Sequence, residues 1–482
     1  MNIADVSQVR AAEKKALAGD PEGYGLMRRA GEAAARIIEE FFPRVRRTVV
    51  LCGGGNNGGD ALVAASAFPG EVVVYALKPL PELRGAAACA ARDLPDRVEV
   101  HVCESLSPDV FRFGDLIVDG VLGVGYSGGP LRESAASFIR AAVSSGCPVA
   151  ALDVPSGLDA DTGEAAETAI RADLTVTFGA VKKGLLAGKG PALCGVLRAV
   201  DIGLGRVSPD DRAVTFEEAV RLLPRCAADV HKNSRGALLV VAGSSEFSGA
   251  AALTASAALR CGAGIVRLAC VKAANLPCAV IAREFPSNDG LLSPGVWRRI
   301  APWIRASDAL AAGPGWGPVS PGLLSGVFGF PGPVVLDADA LNAAARNPEL
   351  WRSRPGMVVT PHPGEASRLA RAFGVSGDGR SELARELAAK LGCVVLLKGK
   401  FTVVSSPDGR GKIVLSGSPA LATAGSGDVL TGVIGALLAS GVEPFDAAVI
   451  GASLHGRAGE LAGRGLIADD LPLVLRDILR VF

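Results

Sequence analysis

The sequence predicts an α/β fold with two doubly wound domains, and three observations carry that prediction. First, Thr48-Val49-Val50-Leu51-Cys52 reads as a buried strand running into the glycine-rich stretch Gly53–Asp60 and then a small-residue helix, Ala61 to Phe68. A strand, a Gly-rich turn and a helix form the first unit of a nucleotide-binding sheet. Second, the same alternation restarts at Ala237–Gly243 and runs on through the second half. Third, Gly203–Ala213 between them is polar, holds Gly and Pro, and is the linker candidate. A chain of 482 residues is long enough for each half to bury its own core.

Composition excludes several functional classes. A formal net charge of +1 gives neither a basic field for nucleic acid nor an acidic tail. Aromatic residues, at 5%, are too few for base-stacking platforms. The ten Cys are scattered, with no C-x-x-C pair and no clustered His. That argues against a zinc site or a disulfide framework and fits the reducing cytoplasm, with most Cys serving as small core residues. Met1–Leu17 carries Asp5, Arg10, Glu13, Lys14 and Lys15 without an apolar block, unlike a signal peptide. No membrane span is expected, since no uncharged apolar run reaches about 18 residues.

In the first half, Gly25–Glu40 reads as an amphipathic helix with Leu26, Ala30, Ala34, Ile37 and Ile38 on one face. After Thr48–Cys52, strands are expected at Val72–Leu77, Val98–Cys103, Leu116–Val121, Val149–Asp153, Leu174–Phe178 and Leu197–Ile202. Helical segments between several of them predict a mostly parallel sheet covered on both faces. Four polar clusters follow strand ends. They are Asn56-Asn57-Gly58-Gly59-Asp60; Asp119 with Gly123-Val124-Gly125-Tyr126-Ser127-Gly128-Gly129; Asp153-Val154-Pro155-Ser156-Gly157; and Thr177 to Gly184, which contains Lys182. Ligands of open α/β sheets bind at strand carboxyl ends, so these loops should converge. Asn57, Asp119 and Ser156 would supply hard oxygens for a cation, while the glycines admit a pyrophosphate close to the backbone. The bland alternative is four ordinary βα loops.

The second half begins with Thr215-Phe216-Glu217-Glu218, a capped helix start. His231-Lys232-Asn233-Ser234-Arg235-Gly236 then precedes the strand Ala237–Gly243, and Gly249–Arg260 is an Ala-rich helix ended by Gly262-Ala263-Gly264. Later strands are Ile265–Cys270, Ala309–Ala312, Val334–Leu336, Met357–Val359 and Val394–Leu397. Site candidates again follow strands. His362 lies between two prolines, which stiffen its loop and point to ligand contact. Lys398 could offset phosphate charge or be a strand-end lysine. Asp337 and Asp339 could orient hydroxyls or a metal, or simply form a turn.

The densest signal is Ala422-Thr423-Ala424-Gly425-Ser426-Gly427-Asp428-Val429-Leu430-Thr431-Gly432. Gly425 and Gly427 permit a tight turn before an apolar helix, Val429 to Leu438. Its first amides lack intrahelical partners and would face an anion. A carboxylate beside a bound phosphate needs a role, and Asp428 could take a proton from an attacking hydroxyl. The alternative is a Gly/Ser turn with Asp as a helix cap.

This stretch resembles the anion-hole and catalytic-Asp motif of ribokinase-like small-molecule kinases. With Thr360-Pro361-His362-Pro363-Gly364-Glu365 and Asp337-Ala338-Asp339-Ala340-Leu341-Asn342, it is most similar to the dehydratase half of the bifunctional NAD(P)H-hydrate repair enzymes. The four clusters of the first half look like the epimerase half. The resemblance implies a Rossmann-like epimerase domain over 1–208 and a ribokinase-like dehydratase domain over 214–482. It implies a potassium ion at Asn57, Asp119 and Ser156. It also places hydrate at Asn56–Asp60, Gly123–Gly129 and Asp153, with Asp153 and Lys182 as the candidate proton-transfer groups. Lys182 could equally grip a phosphate or be a solvated lysine.

In the second domain the resemblance implies hydrate contacts at Ala250, Gly315, His362, Pro363, Gly364, Glu365, Ala366, Ser367, Arg368 and Asp428. Nucleotide contacts would fall at Lys398, Gly399, Lys400, Phe401, Thr402 and across Ser418–Gly427, including Ala424, Gly425, Ser426 and Gly427. Asp428 would start phosphoryl transfer from ADP, with Mg2+ bridging the phosphates and elimination returning NADH or NADPH. ADP is expected over ATP because fused forms resemble the ADP-using branch. The partners expected are small molecules, in an even-numbered homo-oligomer. Two departures stand out: Arg28 where the family usually has Glu, and Ala61 after Asp60 in place of a common Gly. The competing readings are a ribokinase-like kinase of a small alcohol with a regulatory first domain, a binding protein that has lost catalysis, and, more weakly, a dehydrogenase.

Overall fold

Seven short runs rich in Val, Ile and Leu form one parallel sheet in the first half: β1 (Arg47–Cys52), β2 (Glu71–Ala76), β3 (Glu99–Val102), β4 (Leu116–Gly120), β5 (Val149–Leu152), β6 (Leu174–Phe178) and β7 (Val196–Val200). Their spatial order is β3-β2-β1-β4-β5-β6-β7. That is the Rossmann arrangement, which reverses between β1 and β4 and leaves a crevice at their carboxyl ends. Continuous apolar runs are what a parallel sheet buried on both faces requires, and β1, β4, β5 and β6 are buried throughout.

The computed structural model describes residues 1–17, 20, 22–210, 212–224, 235–318 and 320–482. By backbone proximity the chain divides into two units, Met1–Ala213 and Val214–Phe482. His231–Ser234 lies outside the described residues.

Three helices of the first unit matter for its site: α1 (Val6–Ala16), α2 (Tyr24–Phe41) and α3 (Asn56–Ala67). The sequence places the start of α3 at Ala61, but the helix begins five residues earlier, so Asn56–Asp60 forms its first turns rather than a loop. Gly58 permits this, because a Cβ there would stand 2.0 Å from the Gly53 carbonyl oxygen. Sequence periodicity also misses the short parallel pair Ile3–Ala4 with Val181–Lys182. The segment read as a linker is tied to the start of the chain: Val207 N donates to Asn2 Oδ1 at 3.0 Å, and Ser208 Oγ donates to Ile3 O.

The second unit builds a ten-stranded sheet from β8 (Ala213–Val214), β9 (Ala237–Val241), β10 (Ile265–Cys270), β11 (Ile281–Glu284), β12 (Ala309–Ala312), β13 (Val334–Leu336), β14 (Met357–Val359), β15 (Val394–Leu397), β16 (Thr402–Ser405) and β17 (Gly411–Val414). Its order is β8-β17-β16-β15-β14-β13-β12-β9-β10-β11. Strands β9 to β15 run parallel, and β15-β16-β17 is antiparallel. The sequence does not predict β11, β16 or β17.

Four helices frame the carboxyl ends: α4 (Ser248–Arg260), α5 (Pro363–Phe373), α6 (Ser426–Ala439) and α7 (Pro444–Ala462). Apart from Ser426, Asp428 and Thr431 near its start, α6 is apolar and buries Val429, Leu430, Val433, Ile434, Leu437 and Leu438 in the core, each worth about 1.5–3 kcal/mol. Among the described residues no helix is long and apolar enough to cross a membrane.

Candidate functional site

A cavity of about 710 Å³ opens at the switch point of the first sheet. Gly54–Asn57 enters it from the β1–α3 turn, and Val121–Tyr126 from the loop after β4. The first hydrogen bond of α3 runs from Gly59 N to Gly55 O, so the amides of Asn56, Asn57 and Gly58 have no acceptor among the described residues. Asp60, Asp153 and Lys182 also line the cavity. Gly58 and Gly59 are buried in the helix, and Ser127–Gly129 lies outside the lining, with Gly129 O accepting from the Tyr126 hydroxyl at 2.6 Å.

Asp153 follows β5 with φ 62°, a left-handed conformation that costs a non-glycine residue about 1–3 kcal/mol. Its hydrogen bonds hold it there. The amide donates to Val176 O at 2.7 Å, and Oδ1 accepts from Lys182 Nζ, from Phe178 N at 3.2 Å and from Thr177 Oγ1 at 3.3 Å. Lys182 is 1% exposed, which excludes a solvated lysine. Its other two donors go to Phe178 O at 2.8 Å and Thr177 Oγ1 at 3.1 Å. An ammonium has three N–H groups, so none is left for a phosphate. Asp153 Oδ2 has no protein donor among the described residues and is free for a substrate.

Two further carboxyls complete the cavity. Burial, then Asp153 and Glu13, hold Asp60 well above the usual carboxylate range, with Lys182 opposing. Glu13 on α1 lines the cavity as well and is raised by burial and Asp153 against Lys182 and Arg10. No sequence signal singles out Glu13, because the pairing of Ile3–Ala4 with Val181–Lys182 that brings α1 here is long-range.

At the cavity wall, which Asn57 and Leu122 both line, Asn57, Asp119 and Ser156 meet around Leu122. Asn57 Nδ2 donates to Leu122 O at 2.7 Å, the Ser156 hydroxyl lies 3.1 Å from the same oxygen, and Leu122 N donates to Ser156 Oγ at 2.8 Å. Asp119 accepts from the Ser156 hydroxyl at 2.6 Å and amide at 2.8 Å and from Val121 N at 3.2 Å. Burial nevertheless pushes it up to about 6. Asn57 Oδ1 is buried without a donor. An orphaned amide oxygen beside a carbonyl, a hydroxyl and a buried carboxylate suits a hard monovalent cation.

The second site gathers where β13, β14 and β15 end. Asp337, buried after β13, accepts from Lys398 Nζ at 2.8 Å through Oδ1 and from Thr431 Oγ1 at 2.9 Å through Oδ2. Lys398 Nζ lies 3.9 Å from Glu365 Oε2. Burial works against the charge on Lys398, but Asp337, Glu365 and Asp428 outweigh it and raise its pKa.

Gly425 caps α6 at φ 88°, and a Cβ there would stand 2.5 Å from Leu253 Cδ1. Gly427 lies inside the helix rather than in the turn, and its hydrogen faces Lys398 Nζ. The α6 ladder opens with Val429 N to Gly425 O, so the amides of Gly427 and Asp428 have no acceptor among the described residues. Asp428 is half-buried, and burial, with Asp337 adding, pushes it up to about 7 against Lys398. Thr254 Oγ1 donates to Asp428 O at 3.1 Å, which braces this turn on α4.

His362 caps α5: its Nδ1 accepts from Gly364 N at 3.0 Å, and its own amide donates to Glu365 Oε2 at 2.8 Å. Glu365 is buried and pushed up to about 7 by that burial. Arg368 Nε donates to Asn342 Oδ1 at 3.0 Å, and Asp339 Oδ2 accepts from Gly317 N at 2.8 Å. Gly315 packs on Ala250 and Phe247. Pro363 and Ser367 are exposed, whereas the side chains of Ala366 and Phe401 are buried and leave only backbone for a ligand. Lys398–Thr402 abuts the later loop at Gly417, where a Cβ would stand 2.7 Å from Lys400 O. The sequence missed Thr431 and His455. His455 is buried on α7 with Nε2 unpartnered, and burial pushes it down to about 4 as the Ser426 backbone faces its ring.

Comparison with known proteins gives two matching family models. NAD(P)H-hydrate dehydratase matches residues 238–480, and YjeF-related protein N-terminus matches 23–184. The bifunctional NAD(P)H-hydrate repair enzyme Nnr of Escherichia coli K12 is 38% identical, over 95% of this chain and 89% of that protein. That of Coxiella burnetii is 36% identical over 96% of both. Among solved structures, an ADP/ATP-dependent NAD(P)H-hydrate dehydratase from Bacillus subtilis, co-crystallised with ATP and Mg2+, is 29% identical. It covers 55% of this chain and 96% of that one at a TM-score of 0.46.

Proposed function

The chain belongs to the bifunctional NAD(P)H-hydrate repair enzymes, and from that premise we propose that the Asp153 cavity interconverts the R and S hydrates while the Asp428 cluster dehydrates the S form with ADP. The observation that carries the second assignment is a carboxyl pushed up to about 7 beside unpaired helix-start amides and the half-buried Lys398 ammonium. Asp428 takes the proton of the ring hydroxyl, and the oxygen attacks the terminal phosphorus of ADP, supplied as its magnesium complex. The P–O bond to AMP breaks while the Gly427 and Asp428 amides and Lys398 hold the phosphoryl charge. The ring nitrogen's electron pair then expels phosphate, and the proton on the neighbouring carbon leaves with it to restore the ring double bond.

In the first cavity, Asp153 carries the proton transfer that inversion at the hydroxyl-bearing carbon needs, and Lys182 holds its carboxylate in position through Oδ1. Asn57, Asp119, Ser156 and Leu122 O hold a potassium ion, which supplies positive charge under the loop that borders the substrate. Melting of the first unit is then expected to rise in KCl over LiCl at equal ionic strength, as specific ligand binding requires. Asn57→Leu should erase that difference.

The direct test gives the purified protein both hydrate epimers with ADP or with ATP. Reduced-nicotinamide absorbance and inorganic phosphate should rise together until both epimers are consumed, faster with ADP. A phosphorylated product that accumulates without the chromophore would instead make the second unit a kinase. Full epimer interconversion by Asp153→Asn would remove the reaction from the first cavity.

A further inference from the structure

Inversion at a carbinol carbon sets a demand that a single carboxylate does not meet. The hydroxyl leaves from one face and returns to the other, so a proton must be given on one side and taken on the other. We infer that Glu13, brought into the first cavity by the N-terminal helix, is the second acid–base group of epimerisation and works opposite Asp153. This rests on the assignment of that reaction to the Asp153 cavity.

The fold delivers Glu13 through the same contact that positions Lys182. Ile3 pairs with Val181 and Ala4 with Lys182 in parallel register. Asp5 then caps α1 with a complete capping box, and its carboxylate lies 3.2 Å from Lys183 Nζ. The helix buries Val9 and Ala12, and Glu13, four residues beyond Val9, continues that inward face. It reaches the cavity lined by Asp60, Asp153 and Lys182 from a different element than Asp153 does. Asp153, Lys182, Arg10 and Asp60 are the charged groups that face it. Lys182 balances one carboxylate, Asp153, and its three donors are spent. Burial raises Asp60 further than Glu13, so Glu13 is the one of the two that parts with its proton more readily.

The step balances without a further reagent. Protonated Glu13 gives its proton to the hydroxyl, the C–O bond breaks, water leaves, and the ring nitrogen's electron pair forms C=N+. Water then adds from the other face, its electron pair restoring the C–O bond, and Asp153 accepts the released proton. Proton exchange with solvent, from Asp153 and to Glu13, returns both groups to their starting states after each turnover.

The test uses the whole chain, so that S-hydrate dehydration with ADP reports on intact protein in every variant. Glu13→Gln is expected to slow R-hydrate consumption about 100-fold with dehydration unchanged. Glu13→Asp should recover part of the rate with a displaced pH profile, which a packing role would not produce. Glu13→Gln within about twofold of wild type, alongside an inactive Asp153→Asn, overturns the inference and leaves the cavity assignment standing. A loss that Glu13→Asp relieves at no pH overturns it in favour of packing. Wild-type interconversion by Asp153→Asn overturns the cavity assignment and the inference together.

Discussion

Asp428→Asn will slow dehydration about a thousandfold in kcat and leave the interconversion of epimers at its wild-type rate. The substitution keeps the shape of the helix start, the Gly425 turn and the unpaired amides, so ADP still binds; only the group that takes the hydroxyl proton is lost. Its pH dependence follows from the same burial. Asp428 acts as a base and must be ionised, and burial with Asp337 pushes it up to about 7. Dehydration kcat/KM in the wild type will therefore fall about tenfold per pH unit as pH drops below 7, and level off above. The stability of the second unit runs the other way. A carboxyl whose pKa is raised by folding stabilises most below its unfolded value, and that contribution is lost as pH rises through about 7. Asp428→Asn should thus melt higher than wild type at pH 8, with the difference vanishing toward pH 4. Calorimetry at the two pH values, beside stopped-flow absorbance of the reduced nicotinamide, checks both statements. A variant that dehydrates at wild-type rate ends the role of Asp428.

Much of this architecture was legible because parallel strands buried on both faces leave unbroken apolar runs, and polar residues after such runs mark carboxyl ends. Strands β6, β10, β12, β13, β14 and β15 lie where their apolar runs begin and end. The start of α3 was not legible, since Asn-Asn-Gly-Gly is poor helix sequence by propensity. It is helical because Gly58 must pass against the Gly53 carbonyl, a tertiary demand that overrides propensity. The antiparallel β16 and β17 carry too few residues to show a period. Motif order brought Asp337, Glu365, Lys398 and Asp428 to notice. That Asp337 and Lys398 both act on Glu365 and on Asp428 is a product of the tertiary fold that motif order does not show. Glu13 was hidden in a charge-rich amphipathic helix, where a glutamate is ordinarily solvated, and only a two-residue strand pairing turns it inward. His455 sits in an otherwise apolar stretch of α7, so sequence reads it as core.

Lys182→Met will melt the first unit early and abolish epimerisation, while the second unit keeps its own transition and its dehydration of the S hydrate. The ammonium is 1% exposed and satisfied by Asp153, Thr177 and Phe178. Removing it leaves Asp153 without its countercharge beside Glu13 and Asp60, which the same ammonium also steadies. Breaking one half of a buried pair costs about 3–5 kcal/mol, and Phe178 O and Thr177 Oγ1 lose a donor as well. The pairing of Val181–Lys182 with Ile3–Ala4 is backbone to backbone and survives the change, so the loss is electrostatic and reversible by a second mutation. Asp153→Asn added to Lys182→Met should recover most of the melting temperature, because removal of both charges of a buried pair is close to neutral. It should recover no epimerisation, because the proton acceptor has gone too. Scanning calorimetry of the two single variants and the double variant separates these effects. If Lys182→Met melts with the wild type, the ammonium is not the countercharge that holds Asp153 in its left-handed turn.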